Sequence, residues 1–71
     1  MIGKNIKAVR EEKGWTQAEL AEKIGYERST LTKWENGSLK PFAETLTAIA
    51  TVCEVPIERF YKNEGGTNGQ G

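Results

Sequence analysis

Apolar residues recur along the chain three and four residues apart, the spacing that places them on one face of a helix. Ile2, Ile6 and Val9 mark the buried side of a first helix, predicted over about residues 3–13. The clearest stripe belongs to a fourth helix over about residues 42–53, where positions i, i+3, i+4 and i+7 are occupied by Leu46, Ile49, Ala50 and Cys53. The pattern predicts an all-α fold.

Helix-capping residues surround the second predicted helix. Gly14 is expected to end the first helix with a left-handed backbone, and Trp15 to pack inward beside it. Thr16 and Glu19 then have the spacing of a capping box, in which each side chain bonds the backbone of the other residue. Gly25 is expected to end this second helix, again with a left-handed backbone.

Two prolines separate the remaining helices. The third is predicted from residue 27 or 28 to residue 35 or 36, and Pro41 prevents it from running into the fourth. Pro56 suits the first turn of a short fifth helix, residues 57–62. The pattern therefore predicts one compact five-helix bundle over residues 1–63, followed by a glycine-rich tail, residues 64–71, that we expect to be disordered.

Composition limits the chemistry of this 71-residue chain. It has one cysteine, no histidine and no aspartate, so we expect no internal disulfide, no metal site, no cofactor and no enzymatic nucleophile–base pair. No apolar run has the length of a signal peptide or a membrane span, and we expect a cytoplasmic protein with no membrane partner and no small-molecule substrate. Ten basic and ten acidic residues give a net charge of +0, so the positions of the cations matter more than their number.

The segment from residue 17 to residue 33 has the spacing of a helix-turn-helix. Ala21 is small enough for the second helix to cross close to the third, and Gly25 suits the tight turn between them. Leu31 would anchor the third helix in the core, which leaves its outer face free to enter the major groove of DNA.

The chain resembles the phage-repressor and Cro-type family of helix-turn-helix regulators, which are XRE-like proteins. The resemblance covers about residues 3–61 and rests on Ile6, Arg10, the run Thr16-Gln17-Ala18-Glu19-Leu20-Ala21, Ile24-Gly25, Ser29-Thr30-Leu31, Trp34-Glu35-Asn36-Gly37 and Pro41. It implies a lambda-repressor-like DNA-binding domain of five helices, whose third helix reads DNA, usually as a two-fold dimer.

Four residues of the third helix are candidates to contact bases. Arg28 and Lys33 can both donate to guanine O6 and N7, and the hydroxyls of Ser29 and Thr32 can bond either kind of base edge. The alternative for each is an ordinary solvated helix face. Glu27 departs from the family, which prefers a small hydroxyl residue there, and its carboxylate would repel a nearby phosphate.

The resemblance also implies phosphate contacts and an internal ion pair. Gln17 stands at the phosphate-binding position of the family, beside Thr16 at the start of the second helix. Asn36, Lys40 and the backbone of Phe42 resemble its phosphate-binding loop, with a plain solvated loop as the alternative. Arg10 and Glu35 resemble its ion pair, while Trp15, Trp34 and Cys53 are interpreted as core residues.

A dimer surface is expected on the fifth helix, which has more apolar residues than one short helix can bury. The candidates are Val55, Ile57, Phe60 and Tyr61. The alternative is that all four close the bottom of the bundle.

Together these patterns predict a sequence-specific regulator of transcription that binds double-stranded DNA and is of bacterial or phage origin. We expect a homodimer on a palindromic operator, acting as a repressor. The alternative is a protein-interaction or antitoxin-like module of the same fold with weak or no DNA binding; salt-dependent binding to duplex DNA separates the two.

Overall fold

The computed structural model describes residues 1–62 and contains four α-helices followed by a short 3₁₀ helix. Their bounds lie within one residue of those predicted for the first, third and fourth helices, and no strand occurs in the described part. In chain order the elements are α1 (Ile2–Glu12), α2 (Gln17–Ile24), α3 (Arg28–Asn36), α4 (Ala43–Cys53) and the 3₁₀ helix (Ile57–Tyr61). The predicted tail, residues 64–71, lies outside the described residues.

The prediction of a fifth α-helix is wrong, because residues 57–61 form a 3₁₀ helix. The Arg59 N–H donates to the carbonyl of Pro56, three residues back, at 3.0 Å. A segment of five residues offers too few i→i+4 bonds to offset the entropy of fixing an α-helical turn. Its end is held from outside instead: the Asn5 side chain donates to the carbonyls of Phe60 and Lys62, at 2.9 and 2.7 Å.

All five elements contribute to a single apolar core. The predicted stripe of α4 is buried throughout, as are Ile2, Ile6 and Val9 of α1. The 3₁₀ helix adds the ring of Phe60, which is fully buried. The core consists of Ile2, Ile6, Val9, Leu20, Ala21, Leu31, Trp34, Leu46, Ile49, Ala50, Cys53 and Phe60.

The predicted caps of α2 are confirmed. The Glu19 N–H donates to Thr16 Oγ1 at 3.1 Å, and the Thr16 N–H donates to Glu19 Oε1 at 2.7 Å, so the capping box is complete. Gly25, at the end of α2, has the expected left-handed backbone with φ of 78°, and so does Gly14, after the end of α1, with φ of 75°. These interactions fix where α2 begins and ends.

The first turn of α1 lies directly against the end of α3. Gly3 is buried there, and a Cβ atom on it would clash with the carbonyl oxygen of Trp34 and lie 2.7 Å from that of Glu35. Real Cβ atoms essentially never come that close to another heavy atom. The absence of a side chain at Gly3 therefore lets the two backbones meet.

The two tryptophans differ in burial. Trp34 belongs to the core and contacts the ring of Tyr26 edge to face, with the ring centroids 4.9 Å apart. Trp15 is half-buried at the edge of the core, and the Lys23 ammonium lies 4.6 Å from its ring centroid. Trp15 therefore contacts both the core and a cation.

No helix within residues 1–62 is long and apolar enough to cross a membrane.

Candidate nucleic-acid interface

The turn between α2 and α3 is held by hydrogen bonds and by an aromatic contact. The Tyr26 N–H donates to the carbonyl of Ala21 at 2.9 Å. The Tyr26 hydroxyl lies 3.2 Å from the hydroxyl of Thr45 on α4, and its ring packs against Trp34. Because Tyr26 joins the turn to both α3 and α4, the orientation of α3 relative to the core is fixed.

Most of the residues predicted to contact bases lie on the outer face of α3. Leu31, Trp34 and Glu35 face inward and are buried. Arg28, Ser29 and Lys33 are exposed, whereas Thr32 is half-buried at the edge of this face. The side chains of Arg28 and Lys33 have no hydrogen-bond or ion-pair partner within residues 1–62 and are therefore available to a ligand.

A buried ion pair lies beneath this face. Arg10 Nε donates to Glu35 Oε2 at 2.7 Å, and Nη2 donates to Oε1 at 3.1 Å, so the pair is bidentate. Nη1 also donates to the carbonyl of Trp15 at 2.8 Å. The hydrogen bond to Glu35 raises the pKa of Arg10 above its usual value, against the opposing effect of burial. The pair joins α1 to the end of α3, as the family resemblance implies.

Gln17 extends the ion pair to the edge of the candidate interface. Its Nε2 donates to Glu35 Oε1 at 3.0 Å, and its Oε1 accepts from the Thr32 hydroxyl at 2.8 Å. The carboxylate can only accept, so it fixes which end of the Gln17 amide faces inward. One amide hydrogen of Gln17 remains without a partner in the described part of the chain, and that hydrogen is what Gln17 can offer to a phosphate.

The predicted phosphate-binding residues do not form one cluster. Gln17 and Asn36 line a groove of about 320 Å³ between α1, α2 and α3, whereas Lys40 lines a different cavity, of about 210 Å³. Thr16 is occupied by the capping box. Phe42 is the N-cap of α4 and 80% exposed, so its backbone is accessible.

The groove also contains two cations that the sequence patterns did not single out. Lys4 and Lys7 line it from α1, opposite Gln17, Thr32 and Asn36. Both lysines are exposed. Their three-residue spacing places them on one face of α1, but no local signal in the sequence shows that this face lies beside α3.

Glu27 is the N-cap of α3 and makes no side-chain cap bond. Its exposed carboxylate lies beside Arg28 in the chain, at the positive end of the helix dipole.

The four predicted dimer residues separate into a buried and an accessible set. Phe60 is fully buried, so it offers no surface to a partner and was wrongly assigned: its ring fills the core where the 3₁₀ helix packs on α1 and α4. Val55 and Ile57 are half-buried against the core, and Tyr61 is 42% exposed. Beside them Arg59 and Glu12 form a surface ion pair at 2.6 Å, and the hydrogen bond from Arg59 lowers the pKa of Glu12.

Cys53 is fully enclosed in the core. Burial raises the pKa of its thiol, so the side chain stays protonated and acts as a small apolar residue.

The fold and the spacing of α2 and α3 define a helix-turn-helix protein, and comparison with known proteins gives the same class. A family model described as helix-turn-helix matches residues 6–60. The chain therefore belongs to the helix-turn-helix family, among its XRE-type members.

The relatives of this chain include both a transcriptional regulator and an antitoxin. The chain is 37% identical over 73 residues to the HTH-type transcriptional regulator SinR of Bacillus subtilis, covering 99% of this chain and 66% of the relative. It is 41% identical over 49 residues to the antitoxin HipB of Escherichia coli K12, covering 69% of this chain and 52% of the relative. The chain thus spans about a third to two thirds of the length of the curated relatives it matches.

Among solved structures, the chain is similar to SinR, described as the master regulator for biofilm formation, in complex with DNA. The TM-score is 0.79 at 36% identity, and the match covers 84% of this chain and 97% of the other.

Proposed function

We propose that this chain binds double-stranded DNA sequence-specifically as a regulator of transcription, with α3 in the major groove. One observation carries the proposal: α3 is fixed to the core by Leu31 and Trp34, while its opposite face presents the side chains of Arg28 and Lys33, which have no partner within residues 1–62. An exposed cationic face on a rigidly held second helix of a helix-turn-helix is the arrangement that reads base edges. The similarity to a protein crystallised with DNA supports the same function.

The finer proposal is that of a repressor acting in the cytoplasm as a homodimer on a palindromic operator. Repression needs only that the bound protein cover a promoter, and no further surface of the chain is then required. A homodimer would double the few base pairs that one reading helix can contact.

The readout is tested first by selecting bound duplexes from a random pool at a stated salt concentration, and then by titrating variants on the selected site. Arg28→Ala or Lys33→Ala should each weaken that site by about 1–3 kcal/mol and relax the choice of base at one position. Lys40→Ala should weaken all sequences alike, because a phosphate contact carries no base information. Lys13→Ala, at the far end of α1, is the matched control. A Lys33→Ala variant that binds its best site as tightly as the parent would contradict the placement of α3.

A second candidate function, an antitoxin-like protein-interaction module, is favoured by the similarity to HipB. The same surfaces would then bind a protein partner, with DNA contact weak or absent. If the affinity of the parent for duplex DNA falls steeply as salt is added, the regulator is supported. If the parent does not bind duplex DNA in this way, the interaction module is supported.

A further inference from the structure

The groove between the starts of α1 and α2 and the end of α3 collects hydrogen-bond donors from three helices. Its walls carry the ammonium groups of Lys4 and Lys7 and the side-chain amides of Gln17 and Asn36. The Asn36 Oδ1 accepts from the Ser38 N–H at 2.8 Å, which leaves the two hydrogens of its Nδ2 without a partner in the described part of the chain. One amide hydrogen of Gln17 is also available. The walls therefore present donors to whatever enters the groove.

The charge in the groove is positive although it contains a carboxylate. Glu35 lies at its inner end, but both carboxylate oxygens accept hydrogen bonds, from Arg10 and Gln17. Lys4 and Lys7 have no such compensation, since no carboxylate within residues 1–62 pairs with either. In contrast, Arg59 pairs with Glu12. An anion entering the groove would therefore meet two uncompensated cations.

The position of the groove selects the kind of anion. Thr32 and Asn36 of α3 form one of its walls, so whatever occupies it lies directly beside the reading helix. A helix in the major groove is flanked on each side by a DNA backbone, and these phosphates are the anions within reach. The contact of Gly3 with the end of α3 holds Lys4, the next residue, at a fixed position relative to that helix.

Resting on the proposed function, we propose that Lys4 and Lys7 of α1 bind a DNA backbone phosphate in this groove, together with Gln17 and Asn36, which the family resemblance already implies as phosphate contacts. The site adds α1 to the DNA-binding surface formed by α2, α3 and the loop after α3. It contacts backbone and not bases, so it raises affinity for every sequence by the same factor.

The test compares the salt dependence of binding for two double variants of equal net charge. Each phosphate neutralised contributes about −0.9 to the slope of log K against log salt, measured between about 50 and 200 mM. Lys4→Ala with Lys7→Ala should make the slope shallower by about one unit, equally on the selected duplex and on an unrelated one. Lys13→Ala with Lys62→Ala removes the same charge from two residues that do not line the groove, and should leave the slope unchanged.

The outcomes separate this site from the proposed function. If the parent has a steep slope and the Lys4/Lys7 variant retains it, the site is overturned and the proposed function stands. The same conclusion follows if the slope of the Lys13/Lys62 control becomes shallower by the same amount. A parent with no salt-dependent binding overturns both. Thermal melting of the free protein in inorganic phosphate and in chloride at matched ionic strength tests the other source of this ligand. Stabilisation by phosphate that the Lys4/Lys7 variant loses, together with an unchanged slope on DNA, would assign the groove to a free anion and overturn the DNA contact.

Discussion

At the scale of single residues, the hydroxyl of Thr32 has a defined hydrogen-bond polarity. Its one hydrogen faces two protein acceptors, Gln17 Oε1 at 2.8 Å and the carbonyl of Arg28 at 3.0 Å. A hydroxyl has a single donor, so whichever acceptor takes it, the oxygen is left only to accept. Under the proposed function Thr32 is then complementary to a base amino group, either N6 of adenine or N4 of cytosine.

The prediction is that one position of the binding site prefers adenine or cytosine over guanine or thymine. Thr32→Val keeps the shape but removes the oxygen, and should flatten this preference by about 0.5–1.5 kcal/mol, the value of one hydrogen bond. Thr32→Ser keeps the hydroxyl and should therefore retain the preference for adenine or cytosine. Dissociation constants for the four bases at each position of the selected duplex provide the measurement. A preference for guanine or thymine at the position affected by Thr32→Val would show that the hydroxyl donates.

The buried ion pair supports a prediction about stability. Glu35→Ala leaves the Arg10 guanidinium buried without its carboxylate, so the free energy of unfolding should fall by about 3–5 kcal/mol. Glu12→Ala breaks the exposed pair with Arg59 and serves as the control, with no measurable change expected. Urea unfolding followed by circular dichroism measures both. Equal stability of the two variants would mean that water compensates the Arg10 charge.

At the scale of helices, the contact between α1 and α3 depends on the missing side chain of Gly3. Alanine is the better helix former by about 1 kcal/mol, so propensity alone predicts that Gly3→Ala stabilises the protein. The clash with the backbone of α3 predicts the opposite, and overpacking of this kind typically costs about 1–3 kcal/mol. Thermal melting should show a lower Tm than the parent. Lys4→Ala, at an exposed position in the same turn, controls for the added alanine, and a Gly3→Ala variant as stable as the parent would contradict the close contact.

Local signals predicted the helices well, whereas contacts between helices could be predicted only in part. The capping box of Thr16 and Glu19 and the stripe of α4 depend on residues a few positions apart, so the sequence alone identifies them. The burial of Gly3 against α3 and the position of Lys7 beside Gln17 depend on which helices meet, and no local pattern encodes that.

The 3₁₀ helix shows the same difference between what local patterns predict and what tertiary contacts determine. Apolar residues after Pro56 indicated a helix and an exposed surface, but the 3₁₀ geometry and the burial of Phe60 are set by tertiary contacts such as that from Asn5. The ion pair of Arg10 and Glu35 was the exception, because the family resemblance supplied the long-range contact.

At the scale of the whole molecule, a neutral chain can still present a cationic surface. Five of its ten basic residues lie on α3, in the loop after it or in the adjoining groove: Lys4, Lys7, Arg28, Lys33 and Lys40. The net charge of +0 therefore does not argue against a polyanionic partner.

The proposed homodimer gives a whole-molecule prediction. Its surface is now Val55, Ile57 and Tyr61, without the buried Phe60. Two copies joined there by a two-fold axis would have to place their reading helices about 34 Å apart, one turn of DNA. Tyr61→Glu should shift the protein to monomer at micromolar concentration, because the charge would be buried in the contact. Sedimentation equilibrium measures this, with Thr47→Glu on the exposed side of α4 as control. A parent that is monomeric both free and on a palindromic duplex would refute the dimer.

The contact between Gly3 and the end of α3 has a consequence for the nucleic acid itself. Because two backbones touch without an intervening side chain, α1 has little freedom to shift relative to α3. Under the proposed function, the spacing between the α1 lysines and the reading helix is then a fixed length, and any mismatch with straight B-form DNA must be accommodated by distortion of the duplex. Distortion is easier at flexible pyrimidine–purine steps than in stiff A-tracts. Base pairs that no side chain touches would thus influence affinity through their stiffness.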